Sequence, residues 1–326
     1  MKPLSISIPT YNRPFLLKEL LLNLCKSSNH YEIDINIFDN STNNSTKKLI
    51  DNIKHKFNFL NYTKNSTDLG YVGNQIKCLE SSKSIYTAFI CDDDIYTNDA
   101  ISSIINCINI NDELSFIALN YYSFKGDYKI IKRQDFAPTN DVLFKRAYDI
   151  LNYPSVGHFS GFIFNTKIVQ EELNELKNKY NKNLTKTFEK HRGIITHLAN
   201  LSLSKTNLPS YFIGSRILAA REPDSVDYDL LYHLNYENLK YYLGLYKDGT
   251  ISEKDFNYKK KLVLDTLPKA IMIESTIKSR DEYNLLKKKF DKILINDYKY
   301  RLLIRPLFNI SQNSLINIIW KIFYKY

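Results

Sequence analysis

The sequence predicts an α/β fold: a mainly parallel sheet with flanking helices, followed by a helical, basic C-terminal region. Three observations carry it. Over the first 110 residues, short apolar runs of strand character alternate with apolar stripes at helical spacing, a pattern that builds parallel sheets covered on both faces. Each of the first four strand runs ends in a polar loop, and parallel strands bring such loops to one rim of the sheet. From about residue 227 only helical patterns remain, and basic charge accumulates. The expected organisation is a first domain over 1–225, with halves 1–110 and 111–225, and a second region over 226–326.

The elements follow in order. Leu4-Ser5-Ile6-Ser7-Ile8 alternates and predicts the first strand. Pro9-Thr10-Tyr11-Asn12-Arg13 breaks it, and Pro14 suits a first helical position. Leu16, Leu17, Leu20, Leu21 and Leu24 then form a core-facing stripe. A second strand over 33–38 ends at Asp39, and 47–57 is helical after a polar loop. A third strand is expected over 59–63, a loop with two glycines over 65–73, and a helix over 74–82. The run 85–91 predicts a fourth strand, followed by a helix capped by Asn98 or Asp99. Further on, strands are expected over 115–121, 159–164 and 210–219. Helices are expected over 168–180 and 193–204, with polar loops over 123–141 and 181–192, the latter mobile.

Composition bounds the function. At 44% hydrophobic and 25% charged, the 326 residues have ample core material for a globular chain. The net charge of +10 is uneven: residues 1–100 balance 11 basic against 11 acidic side chains, whereas 259–326 hold 15 against 6. A basic tail of this kind suits an anionic surface: membrane headgroups, nucleic acid or a phosphorylated acceptor. No nucleic-acid motif is visible. Cys25, Cys78, Cys91 and Cys107 lack paired metal spacing and read as reduced core residues. Met1-Lys2-Pro3-Leu4 runs directly into a strand pattern, and no apolar run approaches the roughly 18 residues of a membrane span. The sequons at Asn40 and Asn65 fall in the rim loops, where glycans would block access. A cytoplasmic protein is expected.

The most telling stretch is Ala88-Phe89-Ile90-Cys91-Asp92-Asp93-Asp94, an apolar strand that runs into three carboxylates. Adjacent carboxylates repel, so folding them together calls for a counter-charge, and oxygen ligands suit Mg²⁺, Mn²⁺ or Ca²⁺. A solvated acidic turn ahead of the next helix is the structural alternative.

Four segments together resemble glycosyltransferase family 2, the GT-A fold enzymes. Residues 5–13 look like the family's opening strand and loop. Ile37-Phe38-Asp39-Asn40-Ser41-Thr42 resembles its second-strand motif, whose aspartate contacts the nucleotide base. Asn65 with Gly70-Tyr71-Val72-Gly73-Asn74 resembles its third-loop motif, with Asn74 opening the helix, and Asp92-Asp93-Asp94 resembles its DXD motif. Order and spacing match over about residues 4–110; beyond 115 the likeness is faint and leans toward the abequosyltransferase-like branch of O-antigen synthesis.

The resemblance implies a metal-dependent inverting glycosyltransferase. Its donor would be a nucleotide-diphosphate sugar, UDP-linked by default. Its acceptor would be an oligosaccharide or lipid-linked glycan of a bacterial surface polymer such as O-antigen, capsule or lipooligosaccharide. Pro9, Thr10, Tyr11, Asn12, Arg13, Asp39, Asn65, Gly70, Asn74, Asp92 and Asp93 would bind the donor. Asp92 and Asp94 would hold Mn²⁺ or Mg²⁺, which bridges phosphate oxygens as a Lewis acid. Tyr11 can stack on the base or merely pack, and Asp39 can also serve as a turn or cap residue.

The family commonly carries a Glu-Asp pair before a late helix, and this sequence departs from it. Thr187-Phe188-Glu189-Lys190-His191-Arg192 stands there, with Glu189 the first candidate for the catalytic base and His191 the second. His158 is a further candidate beside the acceptor site, whereas His197 reads as a packed core residue. Arg216 and Arg221 suit either diphosphate or surface ion pairs.

The apolar run 315–324, with Trp320 and a basic lead-in, suits attachment to the cytoplasmic face of an inner membrane, or docking on the core or on a second copy in a homo-oligomer. Two rival functions are a sugar nucleotidyltransferase, disfavoured because the first loop has no glycine, and a non-catalytic anion- or nucleic-acid-binding protein.

Overall fold

A computed structural model describes residues 1–27, 33–57, 60–134, 138–154, 156–189, 193–222, 230–275 and 278–310. The chain divides into two compact units, Met1–Pro223 and Asp224–Tyr326.

The first unit opens with β1 (Leu4–Thr10), α1 (Pro14–Leu24), β2 (Ile33–Asp39), α2 (Ser45–Ile53), β3 (Leu60–Lys64), α3 (Gly70–Glu80) and β4 (Tyr86–Phe89). It continues through β5 (Ile95–Tyr96), α4 (Ala100–Ile110), β6 (Phe116–Phe124), β7 (Ile131–Gln134), β8 (Val142–Phe144), β9 (Phe162–Asn165) and α5 (Thr166–Tyr180). It closes with α6 (Leu184–Glu189), α7 (Ile194–Lys205) and β10 (Ser210–Arg221). The strands form one sheet in the order β3-β2-β1-β4-β9-β6-β10-β5, with β7 beside β6 and β8 beside β10.

The strands from β3 to β4 are parallel neighbours, as the alternation predicts. β9 then enters antiparallel to both β4 and β6, and β6 pairs parallel with β10. The sheet is therefore mixed beyond β4. The alternation in β1 is not apolar-in, polar-out. Ser5 and Ser7 are as fully buried as Leu4, Ile6 and Ile8. Their hydroxyls are spent inside: Ser5 Oγ lies 2.6 Å from Ser82 Oγ, and Ser7 donates to the Cys78 carbonyl. Both faces of this strand are covered. On one, Leu4, Ile6 and Ile8 share a core cluster with Leu17, Leu20 and Leu21 of α1 and Ile101, Ile104 and Ile105 of α4; the end of α3 covers the serines.

Several boundaries differ from expectation. α3 begins at Gly70 rather than at Asn74, because glycine at φ +68° takes the turn into the helix. The polar stretch 123–141 carries β7, which gains its hydrogen bonds from β6. The segment expected as a mobile loop over 181–192 holds a 3-10 turn and α6, anchored by buried Leu184 and Phe188. The strand expected over 159–164 begins as a 3-10 turn over Phe159–Gly161. Asp99 precedes α4 without a side-chain cap. The runs of two and three residues that become β5 and β8 are too short to show periodicity.

The described part of the second unit, from 230 to 310, is helical. It holds a π-helical turn over 230–237, α8 (Asn238–Lys247), α9 (Glu253–Glu274), α10 (Arg280–Leu294), another π-helical turn over 300–304 and α11 (Leu307–Ile310). Ser252 caps α9 and a Ser279–Glu282 capping box starts α10. Its core is Leu267, Ile271, Tyr283, Phe290, Leu294, Tyr300 and Phe308. Asp291 binds Arg305 through both oxygens, at 2.8 and 3.2 Å. No described helix is long and apolar enough to cross a membrane. The apolar run 315–324 with Trp320 lies outside the described residues, as does the expected boundary near 225.

Candidate functional site

Parallel strand ends build the site. Thr10 ends β1 in register with Asp39, which ends β2 in register with Lys64 of β3. β4 flanks β1 on the other side. Past its end, Asp92 accepts a hydrogen bond of 2.6 Å from the Thr10 hydroxyl. Thr10 thus links the two acidic motifs on one rim. Arg13 adds a cation, with Nη1 3.0 Å from Asp93 Oδ2 and 3.5 Å from Asp92 Oδ1. Pro9 is half-buried in β1, and Tyr11 projects at the rim with 47% of its surface exposed. Asn12, at φ +54°, donates its N–H to Ser41 Oγ at 2.8 Å, tying the first loop to the second.

Asp39 is buried. Oδ1 accepts the Ser41 N–H at 2.9 Å and Oδ2 the Tyr62 hydroxyl at 2.7 Å. Asn65 and Asn74 are largely spent on the chain itself. Asn65 Nδ2 donates to Asn40 Oδ1 and Asn74 Oδ1, and Asn74 Nδ2 donates to the Phe38 carbonyl at 2.9 Å. Gly70 donates its N–H to Asp68 Oδ1, which also accepts from Asn40 Nδ2. These amides lock the corner between β2, β3 and α3.

The three adjacent aspartates part company. Asp92 turns toward Thr10, and Arg13 bridges it to Asp93. Burial, opposed in part by the Thr10 hydrogen bond, pushes its carboxyl up to about 6. Burial first and then the charge of Asp94 raise Asp93 as well. Asp94 is the most enclosed: Oδ2 accepts from Ser160 Oγ at 2.5 Å and lies 2.7 Å from His158 Nε2, while Oδ1 accepts the Arg221 N–H at 2.9 Å. Arg221 braces the turn further. Its Nε donates to the Asp93 carbonyl, its Nη2 meets Glu19 Oε2 at 2.5 Å, and its guanidinium stacks on Phe124.

Among the described residues, the side chains grouped tightly enough to hold a cation are Cys91, Asp93 and Asp94, whose ligand atoms lie within 4.8 Å of one another. This donor set fits a divalent ion, with the His158 nitrogen beside Asp94. The Asp92 carboxylate is engaged by Thr10 and Arg13. Burial, then the charges of Asp94, Asp93 and Asp92, hold the Cys91 thiol well above its ordinary range.

Glu189 ends α6 in an exposed position. Its Oε1 lies 3.4 Å from where a Cβ on Gly70 would stand, so the carboxylate abuts the start of α3. His191 lies outside the described residues. The His197 ring packs 4.7 Å from Phe188, yet the residue is only half-buried, at the margin of the core rather than inside it. Arg216 is half-buried in β10, opposite Asn120 at a register shift. Sequence reasoning missed Tyr62, Ser160, Glu19 and the placement of Cys91. The first three carry no motif, and the fold alone brings them to the carboxylates.

Known structures share the fold. Residues 1–349 of S. aureus TarS, solved with UDP, superpose with TM-score 0.64 at 14% identity, over 98% of this chain and 88% of that one. A mannosyltransferase from Pyrobaculum calidifontis, solved with GDP-Man and Mn²⁺, gives TM-score 0.55 at 11% identity, over 97% and 87% of the two chains. Likeness at such identity establishes the fold, that of the GT-A glycosyltransferases. Residues 5–171 match the model of glycosyl transferase family 2, and the chain belongs to that family. Abequosyltransferase RfbV of Salmonella typhimurium is 31% identical over 101 residues, a match that spans 30% of this chain and 30% of that relative.

Proposed function

We propose that the protein transfers one sugar from a nucleotide-diphosphate donor to a hydroxyl of a bacterial surface glycan, with inversion and with a divalent cation, Mn²⁺ or Mg²⁺. The observation that carries this reading is the meeting of Asp39, Thr10, Arg13 and Asp92 on one rim, linked through Thr10. In this reading Asp39, fully buried in the free protein, accepts from a base N–H in place of the Tyr62 hydroxyl. Tyr11 stacks on the base. Arg13 exchanges its aspartate partners for phosphate oxygens, and Asp92 then accepts from ribose or sugar hydroxyls. Asn65, Gly70 and Asn74 act by shaping the loop. Asp93 and Asp94, flanked by His158, would hold the cation, which supplies charge neutralisation for the departing diphosphate.

The acceptor oxygen attacks the anomeric carbon as the bond to the diphosphate breaks, with no covalent enzyme intermediate. Glu189 is the base assigned to take the acceptor proton; its exposure beside Gly70 supports this role. The UDP complex of TarS supports UDP as the first nucleotide to try, and the local match to an abequosyltransferase supports a surface-polysaccharide acceptor. The basic surplus after residue 259 supports work at an anionic membrane face, for which the cytoplasmic leaflet is the proposed site.

Glu189→Gln tests the base. It should lower kcat by about 100-fold or more while nucleotide affinity stays within about twofold of wild type, as read by initial rates and calorimetry. Unchanged kcat would remove Glu189 from the mechanism.

A further inference from the structure

We propose that Cys91 is a ligand of the cation site and sets its metal preference, giving a carboxylate site a sulfur donor that favours thiophilic divalent ions over Mg²⁺. This rests on the reading that the site works with a divalent cation, and it concerns which ions are accepted.

The geometry comes from how the chain leaves β4. Cys91 follows the strand by two residues, and the Asp94 N–H donates back to the Cys91 carbonyl at 3.3 Å. That closes a turn and returns Asp94 toward Cys91. Asp93 stands two residues on, with Oδ2 3.0 Å from Arg13 Nη1, and Asp92 between them accepts the Thr10 hydroxyl instead. Cys91 Sγ and one oxygen each from Asp93 and Asp94 come within 4.8 Å of one another. Ligand bonds of about 2.0–2.3 Å put adjacent donors of a single ion about 3–4 Å apart, so the three side chains close in on an ion by rotation.

The position is held from behind. Ser160 Oγ accepts the Cys91 N–H at 3.0 Å and donates to Asp94 Oδ2 at 2.5 Å, so one hydroxyl fixes both the cysteine backbone and the carboxylate. Cys25, Cys78 and Cys107 do not belong to this group.

Carboxylates alone suit Mg²⁺ and Mn²⁺, whereas thiolate selects softer ions such as Zn²⁺ and Cd²⁺. On binding, the sulfur gives its proton to solvent and forms one bond to the metal, with no change of oxidation state. Zn²⁺ and Cd²⁺ should therefore displace Mn²⁺ more effectively than Mg²⁺ does.

The test uses the full chain, stripped with EDTA and desalted. Cd²⁺ is titrated while the sulfur-to-cadmium charge-transfer band is followed in the ultraviolet, and Mn²⁺ binding is followed separately by the loss of its free-ion EPR signal. Wild type and a Cys25→Ser control should show a band that saturates at one Cd²⁺ per chain. Cys91→Ser and Cys91→Ala should lose the band and weaken Cd²⁺ by about tenfold or more, while still binding Mn²⁺. A wild-type chain that binds Mn²⁺ but shows no band, or a band that survives in both Cys91 variants, overturns the role of Cys91 and leaves the cation reading standing. A wild-type chain that binds neither ion overturns both.

Discussion

Asp92 shows how one carboxylate ties stability to function. Burial raises its carboxyl from 3.8 to about 6, so the folded state holds the proton more tightly than the unfolded chain does. Its contribution to stability is therefore greatest below the unfolded value and falls as pH rises through about 4 to 6, by up to about 3 kcal/mol. In EDTA, Asp92→Asn should flatten the fall in stability between pH 4 and 7 in denaturant titrations. An identical slope in wild type and variant would show that Asp92 is not strained by burial. That the acidic triplet, Asp39 and Arg13 meet on one rim was legible from their places at the ends of successive parallel strands. Their partners were not. Tyr62 and Ser160 look like ordinary strand and loop residues until the sheet order sets them against Asp39 and Asp94. Cys91 was read as core because its neighbours in sequence are apolar; its neighbours in space are acidic. Asn65 and Asn74 matched a motif, yet their amides mostly hold the chain together.

At the scale of elements, the start of α3 is the critical junction. Gly70 enters the helix at φ +68°, donates to Asp68 and lies beside Glu189 of α6. A Cβ there meets Glu189 Oε1 at an ordinary contact distance, so the penalty for Gly70→Ala is conformational. It should destabilise the first unit by about 1–2 kcal/mol, seen as a lower denaturant midpoint with an unchanged slope. An unaltered midpoint would mean that the left-handed turn is not required. The first four strands were legible, β1 from its alternation and β4 from an unbroken apolar run, and their helices from apolar stripes. The antiparallel entry of β9 was not, because pairing direction is decided by the path of the chain, not by the run itself. α6 was hidden for a different reason. Six residues with two buried apolar side chains carry too little pattern to stand out from a polar loop.

At the scale of the whole molecule, two units share one chain, and the family match falls within the first of them. The helices of the second unit's described residues were legible from spacing, and its basic character from charge. The proposed transfer depends on the rim of the first unit gripping a nucleotide diphosphate through a cation. The most direct measurement is calorimetry of UDP, GDP, CDP and dTDP, each with and without Mn²⁺, on wild type and on Asp94→Asn. Asparagine keeps the shape and removes the charge. One nucleotide should bind wild type, and Mn²⁺ should tighten it by about tenfold or more; Asp94→Asn should lose that gain while its circular dichroism stays native. Equal affinity with and without Mn²⁺, an undiminished gain in Asp94→Asn, or no binding of any of the four would contradict it.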